Sequence, residues 1–371
     1  MFPFFCEIMQ KISVNQSSKK NIEFLNSSTN WKKLENFNKN LKTNVFDNSE
    51  FLSQLKKVEK YMNEFICDDS WMGHCAKYHL QSGGKRFRAA LALLSAKIFG
   101  LDNKSSIYVA VCCEFIHNAS LIHDDLQDRD LLRRGQPTIW SRFGDHSAIN
   151  LGDYFISGSF EALIKTKVNS DCKCLAVEEL SKTIKQTVRG QSTEILGRSD
   201  FHLKMDDYES TARAKTGSLL SLPVKLVMLL KGLKNCNSEF LSPLYETGLA
   251  YQIQDDISDF LGIKDRGLPG RDLKEGKINV LIMYYLESAT LGEKFLLQQF
   301  LKKRFDSISE EEIVHWISQI RIKGGLEKSI SHLTDVANKA LDSSRKNKQL
   351  SEIVKFVIHC TLNRISQKIK N

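Results

Sequence analysis

HNASLIHDDLQDRDLLRR, residues 117–134, is the stretch on which the reading of this chain turns. It sets Asp124, Asp125, Asp128 and Asp130 within seven positions and follows them with Arg133 and Arg134. In a helix, Asp124 and Asp128 fall one turn apart on the same face, with Cα atoms roughly 6 Å apart along the axis. Carboxylate oxygens at that spacing suit a hard cation such as Mg2+. Such an ion keeps waters and completes its octahedron with substrate phosphates rather than with an all-protein cage. The two arginines then read as phosphate holders. The bland alternative, a solvated acidic helix end with charge-balancing arginines, is not separated from this by one DDxxD. A second copy separates them: QIQDDISD, residues 252–259, sets Asp255, Asp256 and Asp259 at the same spacing. With Asp at roughly 6% of residues, one such pattern arises by chance about 0.08 times in a chain of this length.

Working outward, the 371 residues are 42% hydrophobic, enough for a sizeable core in one large domain or two ordinary ones. Five prolines are few for this length and favour long uninterrupted helices, so the expected fold class is all-α. The net charge of +9 is spread along the chain, which favours anionic small molecules over nucleic acid as partners. Nine cysteines without a CxxC pair read as free, mostly buried thiols in a reducing compartment. No apolar run reaches the ~18 residues of a membrane span. MFPFFCEIMQK at the start lacks a basic region ahead of its apolar stretch, so a cytoplasmic location is expected.

Residues 1–50 hold nine Asn and seven Lys but no Gly or Arg, and are expected to form a loose extension or weak helices outside the core. A Lys/Asn-rich organellar leader is the alternative there. A single domain is expected over 51–371. From Phe51 the pattern turns helical, with Leu55, Val58, Met62 and Phe65 on one stripe. Gly83-Gly84 then marks a turn before a helix expected to open with Lys85, Arg86 and Arg88, where amides and basic side chains can converge on one anion. The helix at about 106–127 is apolar almost throughout and should be central. His117 lies two turns before Asp124 on roughly the same face, which favours a ligand-facing role over a satisfied core histidine. Cys172 and Cys174 are expected in a charged loop. In the helix after it, Gly190, Gln191 and Glu194 face either the site or solvent. Lys215-Thr216-Gly217, followed by Pro223, suggests a kinked helix with carbonyls turned into a cavity. Lys264, Arg266, Arg271, Asp272 and Lys277, among Gly262, Gly267, Gly270 and Gly276, have the composition of a lid that closes over phosphates.

Taken together, these motifs resemble the trans-isoprenyl diphosphate synthases, the polyprenyl synthetase family that includes farnesyl and geranylgeranyl diphosphate synthases. The resemblance runs over roughly residues 50–300 in family order. GGKRFRA, at residues 83–89, corresponds to the family's GGKRxRP with Ala89 in place of proline, and HDDLQDRDLLRRG, KTG, QIQDDISDFLG and GRDLKEGK match in turn. Where the family has Thr or Ser two residues after the last lysine, Asn279 stands, with a modest effect on lid closure expected. The resemblance implies antiparallel helices around a deep cavity in a homodimer. It implies Mg2+, three ions with bound diphosphate, on Asp124, Asp128 and Asp255, with Asp125, Asp256 and Asp259 in support. An allylic diphosphate would be held by those ions and by Arg133, Lys215, Gln252 and Lys277, and isopentenyl diphosphate by Lys85, Arg88, His117 and Arg134. The Thr216 carbonyl and Gln252 would stabilise the allylic cation.

In this family the residues just before the first motif set product length. Ala119 and Ser120 are small, so growth is expected to continue past C15, with Ile116 and Phe115 as the next obstacles one turn deeper and C20 or longer as the product. Two rivals are a terpene cyclase on the same scaffold, disfavoured by the second diphosphate site, and a non-catalytic partner subunit of a synthase, disfavoured by intact acidic motifs.

Overall fold

Low proline content and long apolar stretches resolve into helices nearly throughout this computed structural model, which describes residues 28–39, 41, 49–198, 202–233, 239–263 and 269–370. The all-α expectation holds. The helices are α1 (Thr29–Lys39), α2 (Ser49–Ile66), α3 (Trp71–Gln81), α4 (Phe87–Phe99), α5 (Asn103–Gln127), α6 (Asp145–Ile164) and α7 (Ser170–Leu196). After them come α8 (Met205–Ala212), a π-helical turn over Arg213–Gly217, α9 (Ser218–Leu230) and α10 (Ser242–Phe260). Then follow α11 (Val280–Ser288), α12 (Leu291–Leu301), α13 (Glu310–Ile322), α14 (Gly325–Ser344) and α15 (Lys348–Lys370). Single turns of helix cover Ile139–Phe143 and Arg271–Lys274.

At the centre stands α5. Asp102 caps its start by accepting from the amides of Lys104 and Ser105, which satisfies two of the helix's orphan donors. It is buried on most sides by α2, α4, α6 and α9, so it carries no narrow apolar stripe. By length and composition α5 could cross a membrane, yet 83% of its apolar window is buried inside the fold, the mark of a core helix. Its end is sharp. Arg129 takes a left-handed φ of 53°, and the chain turns back through a two-residue hairpin between β1 (Leu132–Arg133) and β2 (Gln136–Pro137). The turn residues Arg134 and Gly135 both have positive φ, 54° and 78°, the pattern of a turn that matches strand twist.

Three local expectations change. In α1, Trp31 and Leu34 are 1% and 2% exposed against α14 and α15, so this part of residues 1–50 belongs to the core. Burying each contributes roughly 1.5–3 kcal/mol, which fixes a helix whose own composition is polar. Cys172 and Cys174 lie in the first two turns of α7 rather than in a loop, because Asn169 caps that helix by accepting from the Cys172 amide. Lys85 and Arg86 precede α4 instead of opening it: Arg86 sits at φ 46°, held there by a two-pronged bond to Glu59. Cys75, Cys112, Cys113 and Cys172 are buried, unbridged thiols.

Candidate active site

Asp124 and Asp128 occupy the last turn of α5, where Asp128 is the C-cap and its amide bonds the Asp124 carbonyl at 2.8 Å. Burial pushes the Asp124 carboxyl above its usual range, with Asp128 and Glu194 adding repulsion and Lys215 opposing them. Asp128 goes the other way. Burial would raise it, but Lys277 and Arg198 outweigh burial and bring its pKa to about 2. Lys277 reaches it at 2.8 Å, and an Arg198 amino group pairs with its other oxygen. Asp125, 3% exposed, faces a different partner: Arg133 Nε donates to both of its oxygens at 2.8 and 2.7 Å. Asp130 is also buried and pairs with Arg271 of the lid.

Helix α7 contributes a face that the sequence left open. Gly190, Gln191, Glu194 and Arg198 recur at helical spacing, and all turn toward the acidic motifs. A Cβ on Gly190 would stand 2.9 Å from Lys215 Cβ, so only glycine lets the π turn pack this closely. Gln191 donates to Gln127 at 2.8 Å, and Glu194 takes Lys215 at 3.0 Å. Burial opposes charge on both partners. The Glu194 carboxyl is nonetheless lowered by Lys215 and Lys277, and the Lys215 ammonium is raised by Asp124 and Glu194.

Lys215 and Thr216 lie in the π turn, where the Ser218 amide reaches the Arg213 carbonyl five residues back. The segment expected to kink thus holds a widened turn between α8 and α9, of the kind found at functional sites. Thr216 Oγ1 donates to Gln252 Oε1 at 3.0 Å, and Gln252 Nε2 donates to Asp256 at 2.9 Å. Asp256 also accepts from Tyr208 at 2.7 Å and from the Val280 amide at 3.3 Å. Asp259 accepts the Asp272 amide at 3.0 Å. Asp256 and Asp259 are thus buried and hydrogen-bonded, while Asp255 remains half-buried.

Segment 269–277, the described part of the expected lid, is tied at three points: Arg271 to Asp130, the Asp272 amide to Asp259, and Lys277 to Asp128. Lys264, Arg266 and Gly267 lie outside the described residues. Asn279 accepts the Ile282 amide at 3.2 Å as the N-cap of α11 and donates to Asp272 at 3.3 Å. It performs the capping that Thr or Ser would perform.

A second, cationic region forms around the Gly83-Gly84 turn. The Arg134 guanidinium rests on Gly84, where a Cβ would meet its Nη1 at 2.9 Å. Burial, then Arg133 and Arg86, lower the Arg134 pKa, with Glu114 and Asp125 opposing them. Lys85 is exposed, Arg88 is buried at 6%, and His117 is half-buried on α5. Ala119 and Ile116 are buried at 2% and 4%. Ser120 donates to the His117 carbonyl at 2.8 Å. Phe115 is fully buried edge-on against Phe155 and Phe65, so its ring is held by α6 and α2.

Arg198 and Tyr208 are the residues here that sequence reading missed, and Glu194 is one it left undecided between site and solvent. The i, i+4, i+8 series 190, 194 and 198 was the available signal, and it needed the position of α7 to acquire meaning. Among the described residues no three His, Cys, Asp or Glu side chains form a ready-made metal cage. The donors near Asp124 and Asp128 are all carboxylate oxygens, which fits an ion that takes the rest of its shell from substrate and water.

The polyprenyl synthetase family profile matches residues 69–317. The chain is 31% identical over 265 residues to the short chain isoprenyl diphosphate synthase of Methanocaldococcus jannaschii, spanning 70% of this chain and 79% of that protein. It is 30% identical over 310 residues to heptaprenyl diphosphate synthase component 2 of Bacillus subtilis, spanning 81% and 86%. The crystal structure of a geranylgeranyl pyrophosphate synthetase from Pyrococcus horikoshii superposes with a TM-score of 0.69 at 26% identity, covering 84% of this chain and 97% of that one.

Proposed function

The chain belongs to the polyprenyl synthetase family, and on that premise we propose that it is a Mg2+-dependent trans-prenyltransferase. It joins isopentenyl diphosphate to an allylic diphosphate, giving an all-trans prenyl diphosphate of C20 or longer. One observation carries this reading: both aspartate motifs, the π-turn lysine and the lid lysine belong to one connected network. Asp128 binds Lys277, whose amide bonds the Asp272 carbonyl while the Asp272 amide bonds Asp259; Lys215 binds Glu194, which also feels Lys277; and Thr216, next to Lys215, leads through Gln252 to Asp256.

In the proposed roles, Asp124, Asp128 and Asp255 hold the metal, and Asp256 and Asp259 orient Gln252 and the lid through their hydrogen bonds. Bound Mg2+ supplies Lewis-acid neutralisation of the allylic diphosphate. Lys215 and Lys277, kept charged by their acidic neighbours, lie where a leaving diphosphate gathers charge. Arg133 spends its Nε and one amino group on Asp125 and keeps the other amino group for a phosphate. The allylic C1–O bond breaks with its electron pair on the diphosphate, and Gln252 and the Thr216 carbonyl face the cation. The isopentenyl double bond forms the new bond to C1, and the proton then lost passes to the departing diphosphate. Isopentenyl diphosphate sits on Lys85, Arg88, His117 and Arg134. Small Ala119 and Ser120 let the product grow past C15. The chain works as a homodimer in the cytoplasm.

Purified protein with Mg2+, isopentenyl diphosphate and each allylic primer in turn tests this by mass spectrometry. Products of C20 or longer are expected, and no hydrocarbon from the allylic primer alone. Absence of any elongated product from the chain alone would sink the reading as stated. Activity appearing only on mixing with a second protein would turn it toward a two-component enzyme, as the name of the Bacillus relative suggests.

A further inference from the structure

Asp128 is held by two cations from two different elements, Lys277 of the lid and Arg198 just beyond α7. Asp124, one turn back, has the fields of Lys215 and, more weakly, Arg133 against burial and the nearby charges of Asp128 and Glu194. Both Asp128 oxygens are already engaged, so a divalent ion held by this pair would compete with those cations for Asp128. A displaced cation needs a new acceptor, because a charge left in a half-buried site without a partner is costly. Arg198 is built for such an exchange. Its Nε is buried with no hydrogen-bond partner, its side chain is 23% exposed, and it stands at the negative end of α7, which favours a cation without fixing its direction.

We propose that Arg198 is a positioning residue of the diphosphate subsite, occupying Asp128 until metal and pyrophosphate arrive together and then passing to a pyrophosphate oxygen. Metal alone has to compete with the guanidinium. Metal with pyrophosphate does not, because the anion receives the arginine. Arg198 thus opposes the first event and favours the second, which a merely structural arginine would not do. The proposal rests on the reading of this site as a metal-diphosphate centre, but its test reads binding and not product.

The experiment is a titration of Mn2+, followed by electron paramagnetic resonance, into the wild-type chain, Arg198→Met and Arg198→Lys, each with and without inorganic pyrophosphate. Arg198→Met should bind Mn2+ alone roughly tenfold tighter and the Mn2+-pyrophosphate pair roughly tenfold weaker, as expected for exchange of one charge-assisted contact. Arg198→Lys should restore most of both. Thermal melts of the variants establish that they are folded. Unchanged or weaker Mn2+ affinity in Arg198→Met, or a pyrophosphate effect equal to that of the wild type, overturns the proposal. Failure of prenyl transfer itself would appear separately, as absence of elongated product in the mass spectra.

Discussion

Gly248→Ala sets two physical effects against each other. In the interior of α10, alanine should stabilise by about 1 kcal/mol through helix propensity. A Cβ at Gly248, however, would stand 2.2 Å from Gly217 Cα and 2.5 Å from Gly217 N, against backbone that cannot swing aside. Ordinary carbon contacts lie near 3.5–4.0 Å, so α10 and the π turn must separate by more than ~1 Å. One helical turn along α10 is Gln252, whose bond from Thr216 is 3.0 Å long. Adding that displacement takes the pair past hydrogen-bond distance. Overpacking costs about 1–3 kcal/mol, so a net loss of up to about 2 kcal/mol remains after the propensity gain. Displacing Gln252 and Thr216 by ~1 Å should lower kcat about 100-fold. Differential scanning calorimetry reads the first effect as a fall in Tm of a few degrees, and steady-state elongation with an allylic primer reads the second. Gly292→Ala is the control, since nothing lies within 4 Å of a Cβ there. If Gly248→Ala melts at or above the wild-type temperature with unchanged kcat, the close approach of α10 and the π turn is not what positions this site.

Ala119→Phe should shorten the product to C15, because Ala119 is 2% exposed on α5 five residues before Asp124; an unchanged product profile by mass spectrometry removes the floor argument. Ala89→Pro restores the family residue but deletes the amide that donates to buried Glu114 at 2.9 Å. An acceptor stripped of its donor costs about 1–3 kcal/mol, and the stiffer unfolded chain returns roughly 0.4–1, so the urea midpoint should fall. A midpoint equal to or above the wild type's refutes that assignment. His79 is buried against Asn118 at 2.9 Å; burial, with Arg133, Arg134 and Arg86 nearby, brings its pKa down to about 3 from 6.5. The unfolded chain then binds a proton that the folded chain refuses, so stability is full above pH 6.5 and is lost progressively as pH falls toward 3. The loss by pH 5 is about 2 kcal/mol, and His79→Gln should abolish that part of the pH dependence in equilibrium unfolding. An unaltered slope in the variant would place the titration elsewhere.

What the chain revealed unaided was whatever local spacing encodes. Two aspartate pairs at i, i+4, an apolar run too continuous for a surface helix, and glycines before basic residues each depend on neighbours in sequence. The all-α fold, α5 as its axis and the two acidic helix ends followed from them. What stayed hidden depends on which elements meet. Arg86 reads as one more basic residue of GGKR until Glu59 of α2 is seen to hold it. Asp125 and Arg133 look like independent site groups until the hairpin folds one onto the other. Polar α1 gives little sign of core membership, since Trp31 and Leu34 supply its anchoring against helices roughly 300 residues further on.

In the proposed reading, the charges of the site would also let two diphosphates be told apart. Around Gly84, burial first and then Arg133 and Arg86 disfavour the Arg134 cation, with Glu114 and Asp125 opposing them, so an anion can relieve that corner without any metal. Around Asp124 the balance reverses, because burial and two acidic neighbours disfavour the carboxylate despite Lys215. An anion there needs cations brought with it. In the proposed reading the homoallylic diphosphate, which must not ionise, takes the corner of fixed arginines. The allylic one, which must, takes the corner where divalent ions are demanded. Neutralising Arg134 by Arg134→Met should therefore raise the KM for isopentenyl diphosphate while leaving the metal requirement unchanged, and a shifted Mg2+ dependence would show that the two corners are not separate.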